Sequence, residues 1–152
     1  MTHKQIIVAA SGYFDPIHSG HINYLRKARK LGDKLIVIVN NDKQAKLKKE
    51  HYFMPVKERK AILSAIKYVD KVFVSIDNDR SVSKSLAKIK PDIFAVGADN
   101  YKQHLLEKNI CEKLRIKIVG IPLIHIDNPL LKQSSSKIIE DYLRKHKCRC
   151  EV

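Results

Sequence analysis

Apolar residues in this chain come in short unbroken runs, separated by stretches with helical spacing. Residues 6–10 form one run, ended by Ser11-Gly12, and residues 35–39 form a second, bounded by Asp33-Lys34 and Asn40-Asn41-Asp42. Consecutive apolar positions over four to eight residues predict strands buried on both faces, as in a parallel sheet. Between the two runs, residues 21–31 place Ile22, Leu25, Ala28 and Leu31 on one helical stripe, and Gly32 follows. Glycine there reads as a helix stop, since it enters the left-handed conformation without penalty.

The alternation continues with a helix over 56–68, a strand at 71–75, a helix over 81–89, a strand at 92–96, a helix over 104–114 and a strand at 116–121. A last helix over 134–145 opens on hydroxyl side chains that can cap it. Strands alternating with helices predict an α/β fold, a doubly wound, Rossmann-like sheet of five parallel strands with helices on both faces. Residues 41–55 and 122–133 show neither period and exceed ordinary connection lengths, so both are expected as long loops. In such a sheet, ligands bind beyond the carboxyl ends of the strands, where segments 11–21, 40–55, 97–102 and 122–136 would gather. The expected organisation is one domain over 1–145 and a basic tail over 146–152.

Composition changes this picture little. The 152 residues are 44% hydrophobic and 30% charged, ordinary for a globular domain with its own core. Cys111, Cys148 and Cys150 are too few for a disulfide framework, and none forms a C-x-x-C pair. No apolar run reaches membrane-spanning length and no signal segment precedes the first strand, so a cytoplasmic protein is expected. Thirty Lys and Arg against sixteen Asp and Glu give a formal charge of +14. A field of that sign attracts nucleotides and nucleic acids alike, but the basic residues form no aromatic-interleaved stripe, which argues against nucleic acid as the partner.

The candidate chemistry lies where the first strand meets the first helix. Residues 11–21 read Ser-Gly-Tyr-Phe-Asp-Pro-Ile-His-Ser-Gly-His. His18 and His21, three apart at a helix N-terminus, fall on one side of the turn, where backbone amides and the helix dipole favour a phosphate. Gly20 lets a ligand approach the backbone, and Pro16 stiffens the entry. Arg59, on the second predicted helix, suits an ion pair or a phosphate contact.

The segment resembles the H-x-G-H signature of the cytidylyltransferase-like nucleotidyltransferases. Tyr24 to Asp33, Asn40-Asn41-Asp42, Glu58-Arg59-Lys60, Tyr68-Val69-Asp70, Lys90-Pro91-Asp92, Gly97-Ala98-Asp99 and Ser134-Ser135-Ser136 follow in the family's order. The resemblance implies transfer of a nucleoside monophosphate from a triphosphate onto a phosphorylated polyol, sugar or alcohol, with release of pyrophosphate. His18 and His21 would stabilise the reacting phosphates. Lys48 would bind triphosphate or acceptor phosphate, with Lys46 and Lys49 competing for that role. The nucleotide would contact Gly12, Tyr13, Phe14, Gly20, Gly97, Asp99, Ser134, Ser135 and Ser136. Mg²⁺ would ride mainly on the triphosphate, with Asp15 or Asp99 as protein ligand, and small relatives suggest a homodimer.

Two departures bear on the base. Ala98 replaces the family's usual residue, and Leu130-Leu131-Lys132-Gln133 stand where the cytidylyltransferases carry an arginine before the serines. CTP is the expected donor, with ATP acting on a sugar phosphate or FMN as the alternative. A non-catalytic nucleotide- or nucleic-acid-binding module is the competing class.

Overall fold

The computed structural model describes residues 2–98, 106–122 and 134–146. In chain order the elements are β1 (Ile7–Gly12), α1 (Ser19–Arg29), β2 (Lys34–Val39), α2 (Asp42–Lys49), α3 (Val56–Ser64), β3 (Lys71–Val74), α4 (Ser83–Ile89), β4 (Ile93–Gly97), α5 (Lys108–Leu114), β5 (Lys117–Ile121) and α6 (Ser135–His146). The five strands form one sheet in the order β3-β2-β1-β4-β5, every neighbouring pair parallel. The α/β, Rossmann-like architecture is as the apolar runs predict.

Side-chain alternation along the strands divides the core in two. Val8 and Ala10 of β1 and Ala95 of β4 pack with Tyr24, Leu25 and Ala28 of α1 and Leu63 of α3 on one face. Ala9 of β1 and Phe94 and Val96 of β4 pack with Leu86 of α4 and Cys111 of α5 on the other. Each strand is apolar on both faces because each face is covered by helices.

The structure revises several predicted elements. The stretch 41–55 is not wholly a loop, because it contains α2. That helix has almost no apolar stripe and is instead secured at its start by a capping box. The Asn41 side chain accepts from Gln44 N at 3.0 Å, and the Gln44 side chain accepts from Asn41 N at 3.1 Å. The helix predicted over 56–68 stops at Ser64, and that over 104–114 begins, among the described residues, at Lys108. The loop 122–133 lies outside the described residues beyond Pro122, as does the tail beyond His146. Gly32 does not stop α1 by a left-handed turn, for no described glycine has positive φ. It is needed for space: a Cβ there would sit 2.7 Å from the Ile6 carbonyl oxygen. Among the described residues no helix is long and apolar enough to cross a membrane.

Strand order reverses between β1 and β4, since β2 and β3 lie to one side of β1 and β4 and β5 to the other. The crevice beyond the carboxyl ends of β1 and β4 is where such sheets take ligands. The H-x-G-H turn leaves β1 into that crevice.

Candidate active site

The turn is shaped from inside by Phe14. This residue adopts φ 53°, and its ring folds back against Gly12, where a Cβ would lie 3.0 Å from Phe14 Cζ. Phe14 is buried in the core and meets the His21 ring edge-on, centroids 5.0 Å apart. The sequence reading of Phe14 and Gly12 as nucleotide contacts is corrected to that extent: the glycine makes room for the ring, and the ring supports a histidine.

His18 and His21 cap their own helix. His18 Nδ1 accepts from Gly20 N at 3.1 Å, and His21 Nδ1 accepts from His18 N at 3.2 Å, a capping box built from imidazoles. The rings stack at a centroid distance of 3.8 Å. A ring nitrogen that accepts an amide hydrogen carries no proton, so the hydrogen-bond pattern assigns the proton of each neutral ring to Nε2. Burial, then the charges of His18, Lys49 and Lys48, push the pKa of His21 down to about 3. His21 is therefore a neutral donor near pH 7, fixed in direction before any ligand arrives.

Two sequence candidates are occupied with the loops. Both Asp15 carboxylate oxygens face inward, Oδ2 accepting from Phe53 N at 2.8 Å and Oδ1 from Met54 N at 2.7 Å. Arg59, only 1% exposed, donates to the carbonyls of Met54, Tyr13 and Asn40 and pairs with Asp42 at 2.8 Å. Of the two readings for Arg59, the ion pair is the one with a structural basis; a phosphate could not reach the guanidinium without unpicking four hydrogen bonds. Asp15 is likewise turned away from a metal ion. Among the described residues no three His, Cys, Asp or Glu stand together as metal ligands, so no protein cage fits, and Mg²⁺ fits only as part of the triphosphate substrate.

On the β2 side, α2 carries the lysines. Lys48 lies on this helix, with its ammonium 4.4 Å from the Tyr13 ring centroid, while Lys46 lies 5.7 Å from the Tyr52 ring and points elsewhere. Lost hydration, then the nearby Lys49 and Arg80 charges, lowers the Lys48 pKa. Lys49 donates to the Asp15 carbonyl at 2.9 Å, beside the turn, and its pKa is also lowered, first by burial. The structure thus brings Lys48 and Lys49, rather than Lys46, towards His21.

On the β4 side, Gly97 ends its strand buried, and Asp99 lies outside the described residues. Ser134 Oγ accepts from Lys137 N at 3.1 Å and so caps α6, while Ser135 Oγ donates to the Pro16 carbonyl at 2.8 Å; Ser136 is exposed. Ser135 thereby joins α6 to the H-x-G-H turn. Sequence reasoning missed Tyr24, whose hydroxyl donates to the Ala95 carbonyl at 2.7 Å and pins α1 to β4. Its place on the apolar stripe gave no sign of this bond, which spans most of the sheet.

Comparison with known proteins agrees with this architecture. The cytidylyltransferase-like family profile matches residues 9–141. The chain is 39% identical to the FAD synthase of Archaeoglobus fulgidus over 144 residues, 90% of this chain and 97% of that one. It is 36% identical to the FAD synthase of Thermococcus kodakarensis over 145 residues, 90% of this chain and 91% of that one. The structure of a lipopolysaccharide core biosynthesis protein from Thermoplasma volcanium superposes with TM-score 0.69 at 32% identity, over 82% of this chain and all of that one. A pantoate-β-alanine ligase from Francisella tularensis, at TM-score 0.65 and 20% identity over 97% of this chain and 72% of that one, shares the fold. With a profile spanning most of its length and relatives of this similarity, the chain belongs to the cytidylyltransferase-like family and is a nucleotidyltransferase.

Proposed function

We propose that this enzyme transfers AMP from ATP to FMN, forming FAD and pyrophosphate. The imidazole pair carries the reading of the chemistry: two Nε2–H donors, fixed by their own backbone, at the strand-order reversal. The choice of substrates rests on the FAD synthases that match nine-tenths of the chain, and they favour the ATP and FMN alternative over CTP and a polyol phosphate. An FMN phosphate oxygen attacks the α-phosphorus of MgATP in line, one P–O bond forms, the bond to the β-phosphate breaks, and its electron pair leaves with pyrophosphate. His18 and His21 donate to the α-phosphate and the departing oxygens, where negative charge grows. Lys48 and Lys49 neutralise phosphate from the β2 side. Gly97, Asp99 and the α6 serines receive the nucleotide from the β4 side.

The test is pyrophosphate release with Mg²⁺, crossing CTP, ATP, GTP and UTP against FMN, glycerol 3-phosphate, phosphocholine and sugar phosphates, with His18→Ala as control. ATP with FMN should give the fastest release, with FAD in equal amount. Faster turnover of CTP with a polyol phosphate would sink the substrate assignment, and no pair exceeding the control would sink the catalytic reading.

A further inference from the structure

The β2–β3 side of the site holds an arginine that no motif singles out. Arg80 lies in the connection from β3 to α4, beyond the carboxyl end of β3. Its main chain is clamped on both sides by one buried side chain, Gln44 of α2, whose Nε2 donates to the Asp79 carbonyl at 2.7 Å and the Ser81 carbonyl at 2.8 Å. The Asp79 carboxylate closes the turn by accepting from Ser81 N at 2.8 Å. The Arg80 guanidinium donates through Nη2 to the Leu47 carbonyl at 3.0 Å, one residue before Lys48. Both the backbone and the head group of Arg80 are thus set against α2, the helix that carries Lys48 and Lys49.

Arg80 is exposed, and none of the ion pairs among the described residues includes it. Its charge is felt by Lys48, after burial and Lys49, and by Tyr13, where it opposes the rise that burial causes. Three cations gathered at one end of a helix repel one another, and an anion of high charge density relieves that repulsion. A guanidinium held in advance offers a planar fork that matches two phosphate oxygens. The sheet order sets this cluster across β1 from β4 and β5, the side that Ser135 and Gly97 give to the nucleotide.

We propose that Arg80 binds the phosphate of the acceptor, FMN, beside Lys48, and that Gln44 and Leu47 hold it in place for this. The proposal rests on the adenylyl-transfer reading above. It is tested by titrating FMN and riboflavin, which lacks the phosphate, into wild type, Arg80→Ala and Arg80→Lys, following flavin fluorescence, and by measuring KM for FMN and ATP separately. Wild type should prefer FMN to riboflavin. Arg80→Ala should weaken FMN on the order of 10- to 100-fold, the loss expected for a charge-assisted phosphate contact, and leave riboflavin and the KM for ATP within about twofold. Arg80→Lys should recover part of the loss, and it carries the same test should the alanine variant fail to fold. An unchanged FMN-to-riboflavin ratio, or an equal rise in the KM for ATP, overturns the role of Arg80 while leaving adenylyl transfer intact. Wild type that binds no flavin yet releases pyrophosphate with another acceptor overturns both readings, and that arm is read on wild type alone.

Discussion

Two helix N-termini adjoin the H-x-G-H turn, and they are built in opposite ways. That of α1 is capped by the rings of His18 and His21 and backed by the buried Phe14, Tyr24, Leu25 and Ala28. That of α6 is capped by a serine hydroxyl, reaches the turn through the single bond from Ser135 to Pro16, and belongs to a helix with no buried residue. One neutral hydrogen bond contributes about 1 kcal/mol net, far less than a packed helix face. Donors on α1 are therefore fixed before substrate arrives, as electrostatic stabilisation of a transition state demands, whereas α6 is placed to gain order from what it binds.

The contrast is sharpest in turnover. Replacing His18 or His21 by alanine should lower kcat on the order of 100-fold or more, the usual consequence of deleting a donor aimed at developing charge. Steady-state kinetics would check this, and an equal loss from Ser135→Ala would erase the distinction. Next in size is the support beneath the turn. Asp15→Ala should destabilise the protein by about 2–3 kcal/mol, since the Phe53 and Met54 amides lose a charged acceptor, measured as a shift in urea midpoint at constant slope.

Acidification probes His21 itself. Its pKa falls from 6.5 to about 3 on folding, so below 6.5 the unfolded chain takes up a proton that the folded chain refuses. Stability should decline as pH falls through that window, by at most about 2 kcal/mol between pH 6.5 and 5. In His21→Gln that slope should be shallower in parallel denaturation curves; identical slopes would place the acid sensitivity elsewhere. The smallest effect is expected at α6, where Ser135→Ala should cost about threefold in the KM for ATP, one weak hydrogen bond's worth.

Features that depend on neighbours in sequence were readable, and those that depend on distant contacts were not. Five apolar runs and the stripes between them disclose the sheet and its helices, and the paired histidines with Gly20 disclose the turn. Helix α2 escaped because periodicity was the guide and this helix has little of it; the Asn41…Gln44 capping pair was its local sign. Helix ends were harder still. Glu50, Lys90 and Arg115 close α2, α4 and α5 at positive φ where glycine would be the sequence signal. The tasks of Asp15 and Arg59 are set by partners up to 39 and 46 residues away, and no spacing rule reaches that far.

The imidazole cap also fixes what the turn can do with protons. Each Nδ1 lone pair already accepts an amide hydrogen, and each Nε2 of the neutral ring already holds its proton, so the pair has no vacancy for another. A hydroxyl nucleophile would need a base to take up its hydrogen, and these rings offer none. A phosphate monoester arrives with its attacking oxygen already ionised near neutral pH. The backbone of α1, by occupying two ring nitrogens, suits this turn to a nucleophile that brings its own charge.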